Sequence, residues 1–178
     1  MIIDLPSGGQ TFNFDCGAKA LQLVMAYYGL DILEGELMTE LKTSSKGTPI
    51  KNMISLAEKH GFEVIAQTGV LLETVKDYVN KSIPVIVLVQ AWAERYMTLE
   101  DWKNDNDDGH YVIVIGYNGS IIVFEDPSSF RKTWLTEEEF AARWHDIDPQ
   151  TNQRLEHFAM VLLGKEPVPQ HKLLEHMD

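Results

Sequence analysis

The first part of the chain carries apolar residues at helical spacing. Between residues 15 and 28, Leu21, Val24, Met25 and Tyr28 fall on one face of a helix, and Gly29 ends the pattern. Similar signals predict three more helices, which cover residues 34–41, the segment from Thr48-Pro49 to Gly61, and residues 72–80. The amino-terminal part of the molecule is therefore predicted to be helical.

Strand patterns take over from residue 62. Residues 84–90 form an uninterrupted apolar run, which is typical of a strand buried on both faces. Two further strands, residues 111–117 and 121–125, meet at Asn118-Gly119, the strongest hairpin signal in the sequence. Shorter elements are a strand at 62–67, a helix at the capping box of Thr136 and Glu139, and a last strand at 158–163. This order predicts an α+β fold in which a helical amino-terminal part packs against an antiparallel sheet and the two frame a cleft.

Residues 91–109 form a polar connection that is longer than most loops. It contains Trp92, Tyr96 and Trp102, followed by an acidic run at residues 105–108. Because long loops of this kind often carry function, we interpret the segment as one wall of a substrate cleft. Its acidic residues would favour basic peptides. The alternative is a solvated insertion whose charges face water.

The composition agrees with one folded domain. The chain has 178 residues, of which 44% are apolar and 24% charged. A chain of this length buries enough surface to fold without disulfides or a structural metal. Residues 1–164 are predicted to form the domain, and residues 165–178, which include Pro167, Pro169, His171 and His176, are predicted to be a carboxyl-terminal tail.

The formal net charge of −12 argues against several classes of partner. It opposes the phosphates of nucleic acids and the anionic surfaces of membranes, so neither is expected to bind. No run reaches the ~18 apolar residues of a membrane span, and the first residues lack the basic segment of a secretory signal. We therefore expect a soluble, cytoplasmic protein without a membrane span.

The only cysteine, Cys16, stands at the predicted start of the first helix. Unpaired backbone N–H groups and the helix dipole favour a thiolate at that position, which would make Cys16 a nucleophile. A small buried thiol with a structural role is the alternative. The neighbouring Asp15 suits the N-cap of the helix, although its negative charge acts against a thiolate.

Three other residues could complete a site around this thiol. His110 opens one strand of the predicted hairpin and Asp126 follows the other, so an imidazole and a carboxylate lie at one end of the sheet. A cysteine nucleophile needs such a base together with an orienting group. Gln10, in a glycine-rich loop six residues before Cys16, could donate its amide to a developing oxyanion, together with the Cys16 N–H. A solvated loop glutamine is the alternative.

The register of the hairpin decides whether His110 and Asp126 can meet. A two-residue turn at Asn118-Gly119 would place the two side chains on opposite faces of the sheet. A three-residue loop or an equivalent β-bulge would bring them to one face as diagonal neighbours. We predict the longer loop or the bulge.

Several motifs agree with one known family. They are Gln10 six residues before Cys16, the string Asp-Cys-Gly-Ala-Lys-Ala-Leu-Gln-Leu-Val-Met-Ala-Tyr-Tyr-Gly from residue 15, Gly-His-Tyr-Val-Ile-Val-Ile-Gly-Tyr from residue 109, and Glu-Asp-Pro from residue 125. In this order they resemble the bacteriocin-processing, double-glycine-leader peptidase family of papain-like cysteine peptidases. Because the sequence shows neither a membrane span nor an ATP-binding region, it resembles the stand-alone branch of that family.

The resemblance implies a papain-like fold and a cysteine peptidase mechanism. Matched position by position, it implies Cys16 as the nucleophile, His110 as general base and then acid, Asp126 as the group that orients His110, and Gln10 as the oxyanion donor. The substrate would be a peptide or protein, cleaved through a thioester without a metal or organic cofactor. The remaining histidines are scattered, and none has the spacing of a zinc site.

Two alternatives to peptide hydrolysis stay open. The same thioester could pass its acyl group to another acceptor, as in an acyltransferase. The other alternative is a non-catalytic peptide-binding module with the same fold, which a buried and unreactive Cys16 would favour.

Overall fold

Six helices are present in residues 2–169, the part of the chain that the computed structural model describes. They are α1 (Cys16–Tyr27), α2 (Glu34–Leu41), α3 (Ile50–Lys59), α4 (Leu72–Asn80), α5 (Leu99–Asn104) and α6 (Glu137–Arg143). The first four lie where the apolar spacing predicted them. In α1, the periodic residues Leu21, Val24 and Met25 are fully buried, so the predicted apolar face is the one that packs.

Eight strands form two antiparallel sheets in the same residues. They are β1 (Glu63–Gln67), β2 (Val85–Gln90), β3 (Gly109–Asn118), β4 (Ile121–Glu125), β5 (Thr133–Thr136), β6 (His145–Ile147), β7 (Arg154–Glu156) and β8 (Ala159–Leu163). The large sheet has the order β1-β8-β2-β3-β4-β5, and β6 pairs with β7 in a separate hairpin. Every residue of β2 is buried, as its continuous apolar run predicted.

The amino-terminal helices pack against the large sheet and place the start of α1 beside β3. α1 contacts β3, and α2 and α3 contact α1. The approach is close because Gly17 has no side chain. A Cβ at this position would lie 2.9 Å from Cβ of Thr48 and 3.0 Å from the ring of Tyr111. The predicted arrangement of helices against an antiparallel sheet is thus present, and it fixes Cys16 next to the sheet.

The turn between β3 and β4 differs by one position from the simplest prediction. Asn118 pairs with Ile121, so the turn residues are Gly119 and Ser120 rather than Asn118 and Gly119. Gly119 has a φ of +61°, a left-handed conformation that glycine adopts without strain.

A β-bulge then shifts the register of the β3–β4 pair by one residue on the side away from the turn. The pairing of β3 with β4 shifts between Val114 and Gly116, which adds one residue to β3. The last pair of the two strands is Ile113 with Glu125. If the same register is extended beyond this pair, His110 and Asp126 fall on the same face of the sheet. The prediction of a longer loop or an equivalent bulge is confirmed in its second form.

The connection between β2 and β3 is more ordered than its polar sequence predicted. It contains α5, which begins at a capping box in which Thr98 and Asp101 exchange side-chain and backbone hydrogen bonds. Trp102 on this helix is buried, and the guanidinium of Arg143 lies 4.0 Å from the centre of its ring. Trp102 therefore anchors the connection to α6 and does not face a cleft.

Three short strands were not predicted from the sequence. β5 extends the large sheet beyond β4, and the small hairpin of β6 and β7 lies beside the start of β3. Their lengths of three or four residues carry too little periodicity to identify them.

The described part of the predicted tail contacts the domain. The backbone N–H of Val168 donates to the carbonyl of Tyr27 at 3.0 Å. His171 and His176 lie outside the described residues, and the boundary at residue 164 stays a prediction. Within residues 2–169, no helix combines the length and the apolar character that crossing a bilayer requires.

Candidate active site

Cys16 is the first residue of α1 and lines a cavity of about 280 Å³. Its side chain is largely covered, since the residue is 8% exposed. The thiol is therefore neither sealed in the core nor free in solution, because it borders a cavity while the rest of its surface is packed. It stands at the amino-terminal end of a twelve-residue helix, as the sequence predicted, where the unpaired backbone N–H groups of the first turn lie.

Asp15 occupies the N-cap position of α1, but its side chain does not cap the helix. The carboxylate instead turns back to the preceding loop and accepts hydrogen bonds from the backbone N–H groups of Thr11 and Phe12, each at 3.1 Å. The expectation that Asp15 caps the helix is therefore wrong. Its carboxylate fixes the shape of the loop that carries Gln10, so the aspartate serves the site through that loop.

His110 and Asp126 form a direct contact at the open end of the β3–β4 hairpin. Nε2 of His110 lies 2.7 Å from Oδ1 of Asp126, and both residues are buried. The Cys16 thiol neighbours the same imidazole and raises its pKa, although the hydrogen bonds of the described residues include none between the two side chains. Because Nε2 is engaged with Asp126, Nδ1 is the ring nitrogen left for the thiol. The three residues thus lie together, with the imidazole joined to the carboxylate by a hydrogen bond.

The electrostatics of the pair favour an imidazolium. Burial acts to lower the pKa of His110, but the hydrogen bond that its imidazolium donates to Asp126 and the neighbouring Cys16 outweigh it and raise the pKa to about 9. For Asp126, burial acts to raise the pKa, while His110 and the backbone N–H of Ser128 outweigh it, so its pKa lies below the ordinary value. Both shifts support an ion pair of imidazolium and carboxylate at neutral pH.

Four donors hold the carboxylate of Asp126. Oδ1 contacts His110 and accepts the backbone N–H of Ser128 at 2.8 Å. Oδ2 accepts the indole N–H of Trp92 at 3.2 Å and the hydroxyl of Thr133 at 3.3 Å. Trp92 and Thr133 could not be identified from the sequence as partners of Asp126, because they come from other loops and strands. A buried carboxylate needs such partners, and their number fixes its orientation.

Gln10 lies beside this group, and its amide is engaged within the loops. Its backbone N–H donates to the carbonyl of Pro127 at 2.8 Å, which ties the Gln10 loop to the turn after Asp126. In the side chain, Nε2 donates to the carbonyl of Phe12 at 2.5 Å, and Oε1 accepts from the hydroxyl of Ser128 at 3.1 Å. Gln10 is therefore close to the turn after Asp126, but its amide hydrogen bonds run to the loops.

The cavity beside Cys16 has an acidic lining. Its wall includes Tyr111, three carboxylate residues and one lysine; the charged ones are Lys46, Asp107, Asp146 and Asp148. Only Asp107 belongs to the acidic connection that the sequence assigned to the cleft. Trp92 contacts Asp126 instead, and Tyr96 is exposed. The connection thus forms part of the wall, as predicted, but its aromatic residues do not.

Sequence reasoning missed Asp146 as a cleft residue. Its carboxylate accepts from Nε2 of Gln90 at 3.1 Å, and the same amide donates to the carbonyl of His145 at 3.0 Å. Burial raises the pKa of Asp146 to about 6. The one available signal was Gln90, a fully buried polar residue that ends an apolar strand and therefore needs polar partners. His145 faces the carbonyl of Asp105 and forms no pair with Asp146.

The described residues offer no obvious metal site. Within residues 2–169, no group of three or more histidine, cysteine, aspartate or glutamate side chains is arranged to hold a metal ion. The side chains gathered around Cys16 are instead those of nucleophilic and acid–base chemistry.

Comparison with protein families gives one match that covers most of the chain. Residues 6–148 match the model of the peptidase C39 family. Two curated relatives are transport/processing ATP-binding proteins. ComA of Streptococcus pneumoniae is 28% identical over 139 residues, 78% of this chain and 17% of ComA. PedD of Pediococcus acidilactici, for pediocin PA-1, is 23% identical over 135 residues, 75% of this chain and 16% of PedD. The chain thus spans about a sixth of the length of these relatives.

Solved structures with the same fold come from the same group of proteins. The peptidase domain of Streptococcus ComA superposes with a TM-score of 0.64 at 25% identity, covering 90% of this chain and 97% of that domain. A C39-like peptidase from Bacillus anthracis gives 0.68 at 18% identity, with coverages of 92% and 98%. A double glycine motif protease from an AMS/PCAT transporter, solved with its leader peptide, gives 0.64 at 19% identity, with coverages of 90% and 92%. These likenesses confirm the predicted α+β, papain-like fold.

Proposed function

The chain belongs to the peptidase C39 family, and from this premise we propose that it hydrolyses peptide bonds through a triad of Cys16, His110 and Asp126. The observation that carries the proposal is the buried pair of His110 and Asp126, whose side chains lie 2.7 Å apart, with the Cys16 thiol neighbouring the imidazole. The thiol also borders the cavity that a peptide would enter.

The proposed first step is attack by sulfur on a peptide carbonyl. In the proposed resting state the thiol proton already resides on Nδ1 of His110, so sulfur adds to the carbonyl carbon as a thiolate beside the imidazolium. Asp126 stabilises the imidazolium and holds its ring in orientation, because Nε2 points at the carboxylate. The tetrahedral intermediate collapses when His110 returns the proton to the leaving amine. The product is a thioester between Cys16 and the acyl part of the substrate.

In the second step, water hydrolyses the thioester. His110, now neutral, draws a proton from the water molecule, the hydroxide adds to the thioester carbonyl, and sulfur leaves as a thiolate beside the imidazolium. The carboxylic acid leaves and the thiolate–imidazolium pair is restored. No other reactant enters the balance.

Gln10 is proposed as one donor to the oxyanion, with the backbone N–H of Cys16 as the other. Its amide carries two N–H groups, and the one described side-chain donation, to the carbonyl of Phe12, uses one of them. The loop is held by Asp15 and by the bond from Gln10 to Pro127, so the amide is tethered near the site. Rotation about the terminal side-chain torsion would aim the amide at an oxyanion.

The proposed substrate is a peptide or a protein segment. The cavity beside Cys16 supports this, and so does the structural neighbour that was solved with a leader peptide. The transport and processing functions named for the curated relatives belong to proteins about six times as long as the matched region, and the proposal does not include them.

The test is cleavage of a peptide library by the chain and by Cys16→Ala, read by mass spectrometry. Hydrolysis by the wild type alone supports the proposal, and a mass increase on Cys16 after rapid acid quench would identify the thioester. Products joined to an added amine would indicate an acyltransferase. Binding of peptides without any cleavage would indicate the non-catalytic module.

A further inference from the structure

Trp92 has an unusual backbone conformation two residues after the end of β2. Its backbone φ is +64°, a left-handed conformation that bulky side chains rarely adopt. Its indole Nε1 donates to Oδ2 of Asp126 at 3.2 Å, although the two residues are 34 positions apart. Such strain persists only where other contacts compensate, and it concentrates at functional sites. The hydrogen bond to Asp126 is the contact that this conformation serves.

We propose that Trp92 is a positioning residue for the triad, which orients the Asp126 carboxylate towards His110 and shields the pair from water. The inference rests on the proposed function, because it assigns a role relative to that triad. Trp92 comes from the connection between β2 and β3, which its sequence predicted to be a wall of the substrate cleft.

The two oxygens of the Asp126 carboxylate have different hydrogen-bond partners. Oδ1 contacts His110 and accepts from the backbone of Ser128. Oδ2 accepts only side-chain donors among the described hydrogen bonds, namely the indole of Trp92 and the hydroxyl of Thr133. Donors on both oxygens fix the rotation of the carboxylate about its Cβ–Cγ bond. Without the Oδ2 donors, rotation would direct Oδ1 away from the imidazole.

The indole of Trp92 also lies between the Asp126 carboxylate and solvent. Asp126 is 3% exposed, whereas Trp92 is 58% exposed, so one side of the indole contacts the carboxylate while the other meets solvent. Trp92 and Asp126 both line a small cavity of about 110 Å³, together with Thr133, Trp134 and Arg143. The indole thus covers the side of the carboxylate that faces this cavity. Exclusion of water strengthens the hydrogen bond between Asp126 and His110.

The charged and titratable groups around the carboxylate define what can be measured. They are His110 on β3, Arg143 on α6, which lines the same cavity, and Cys16 on α1 beyond the imidazole. Loss of the indole donor makes the carboxylate easier to protonate, and a protonated Asp126 no longer supports the imidazolium. The reactivity of Cys16 in mildly acidic solution should therefore fall when the indole N–H is removed.

The chain offers a matched control. Trp134 is 59% exposed and lines the same cavity, but its indole has no described hydrogen bond to Asp126. Trp92→Phe and Trp134→Phe remove the same group from neighbouring positions. Thr133→Val removes the second Oδ2 donor without changing the backbone at Trp92, so it tests the same idea in a variant that keeps the strained loop intact.

The experiment measures the alkylation rate of Cys16 by iodoacetamide between pH 4 and 9. We expect Trp92→Phe to slow the reaction about three- to tenfold at pH 5, to move the acid limb to higher pH, and to leave the rate at pH 9 unchanged. Thr133→Val should shift the acid limb in the same direction, and Trp134→Phe should not. In an Asp126→Ala background, Trp92→Phe should have no further effect.

Each contrary result has a defined meaning. An unshifted acid limb in Trp92→Phe, or an equal shift in Trp134→Phe, overturns the role of Trp92, as does an undiminished effect in the Asp126→Ala background. His110→Ala separates this from failure of the triad. If its alkylation profile equals that of the wild type, the proposed function itself fails and the role of Trp92 falls with it.

Discussion

Nε2 of His110 lies 2.7 Å from Oδ1 of Asp126 because β3 carries one extra residue between Val114 and Gly116. The bulge shifts the register of the part of β3 that precedes it, so that both side chains occupy one face of the sheet. Four donors then hold the carboxylate in place. The carboxylate thereby holds the imidazole through Nε2, which leaves Nδ1 as the nitrogen available to the thiol of Cys16.

Replacement of Asp126 by asparagine should lower kcat without unfolding the protein. The amide keeps the size of the carboxylate, but it does not stabilise an imidazolium, so we expect a loss of about 10- to 100-fold in peptide hydrolysis. Steady-state kinetics on a cleaved library peptide measure it. Asp77→Asn, an exposed aspartate on α4, is the matched control and should keep full activity. Equal activity in Asp126→Asn and wild type would contradict the orienting role.

Gln10→Ala should lower kcat by about 10²-fold if the amide donates to the oxyanion. The competing explanation is that Gln10 only ties two loops together through Ser128. Ser128→Ala removes that link and leaves the amide in place, so it should cost much less activity. If the two variants lose the same activity, Gln10 acts through the loops and the oxyanion role is wrong.

Gly17→Ala should destabilise the fold by about 1–3 kcal/mol, because the added methyl group overpacks the contact between α1 and β3. It would lie 2.9 Å from Cβ of Thr48 and 3.0 Å from the ring of Tyr111. Urea denaturation measures the free energy of unfolding. Gly35→Ala in α2 is the control, since a Cβ there meets no atom within 4 Å, and it should stabilise the helix by up to about 1 kcal/mol. Equal stability of the two variants would refute the close packing.

The pH dependence of stability should show the elevated pKa of His110. Because its pKa rises from 6.5 when unfolded to about 9 when folded, the group stabilises the fold fully below pH 6.5 and loses this contribution as the pH rises through 9. The full contribution corresponds to about 3 kcal/mol. The difference in unfolding free energy between wild type and His110→Ala should therefore shrink between pH 6.5 and 9.5. A constant difference across this range would contradict the ion pair.

Much of the fold follows from periodicity in the sequence. The helical spacing of Leu21, Val24 and Met25 identified α1, and the apolar run of β2 identified the buried strand at the centre of the sheet. These elements are long enough for their periods to be distinct. The short strands β5, β6 and β7 contain too few residues for such a signal. The domain boundary at residue 164 and the cytoplasmic location stay predictions.

The candidate residues of the site could be predicted from their order along the chain and from the alternation of side chains along the strands. The motif order identified Cys16, His110 and Asp126 as candidates, and strand parity required a longer loop or a bulge in the hairpin. The contacts of Trp92 and Asp146 depend on where separate loops meet and on a left-handed backbone at a tryptophan, which no local pattern encodes. The turned amide of Gln10 likewise depends on its neighbours Phe12 and Ser128.

The most direct test of the account is the rate at which iodoacetamide alkylates Cys16 between pH 4 and 9, with intact-mass detection of the single adduct. A free thiol, with a pKa of about 8.5, reacts slowly in acidic solution. We expect a substantial rate at pH 5–6 in the wild type, and we expect His110→Ala to lose it. A wild-type rate that follows a free thiol across the whole range, or one that His110→Ala leaves unchanged, would contradict the Cys16–His110 pair.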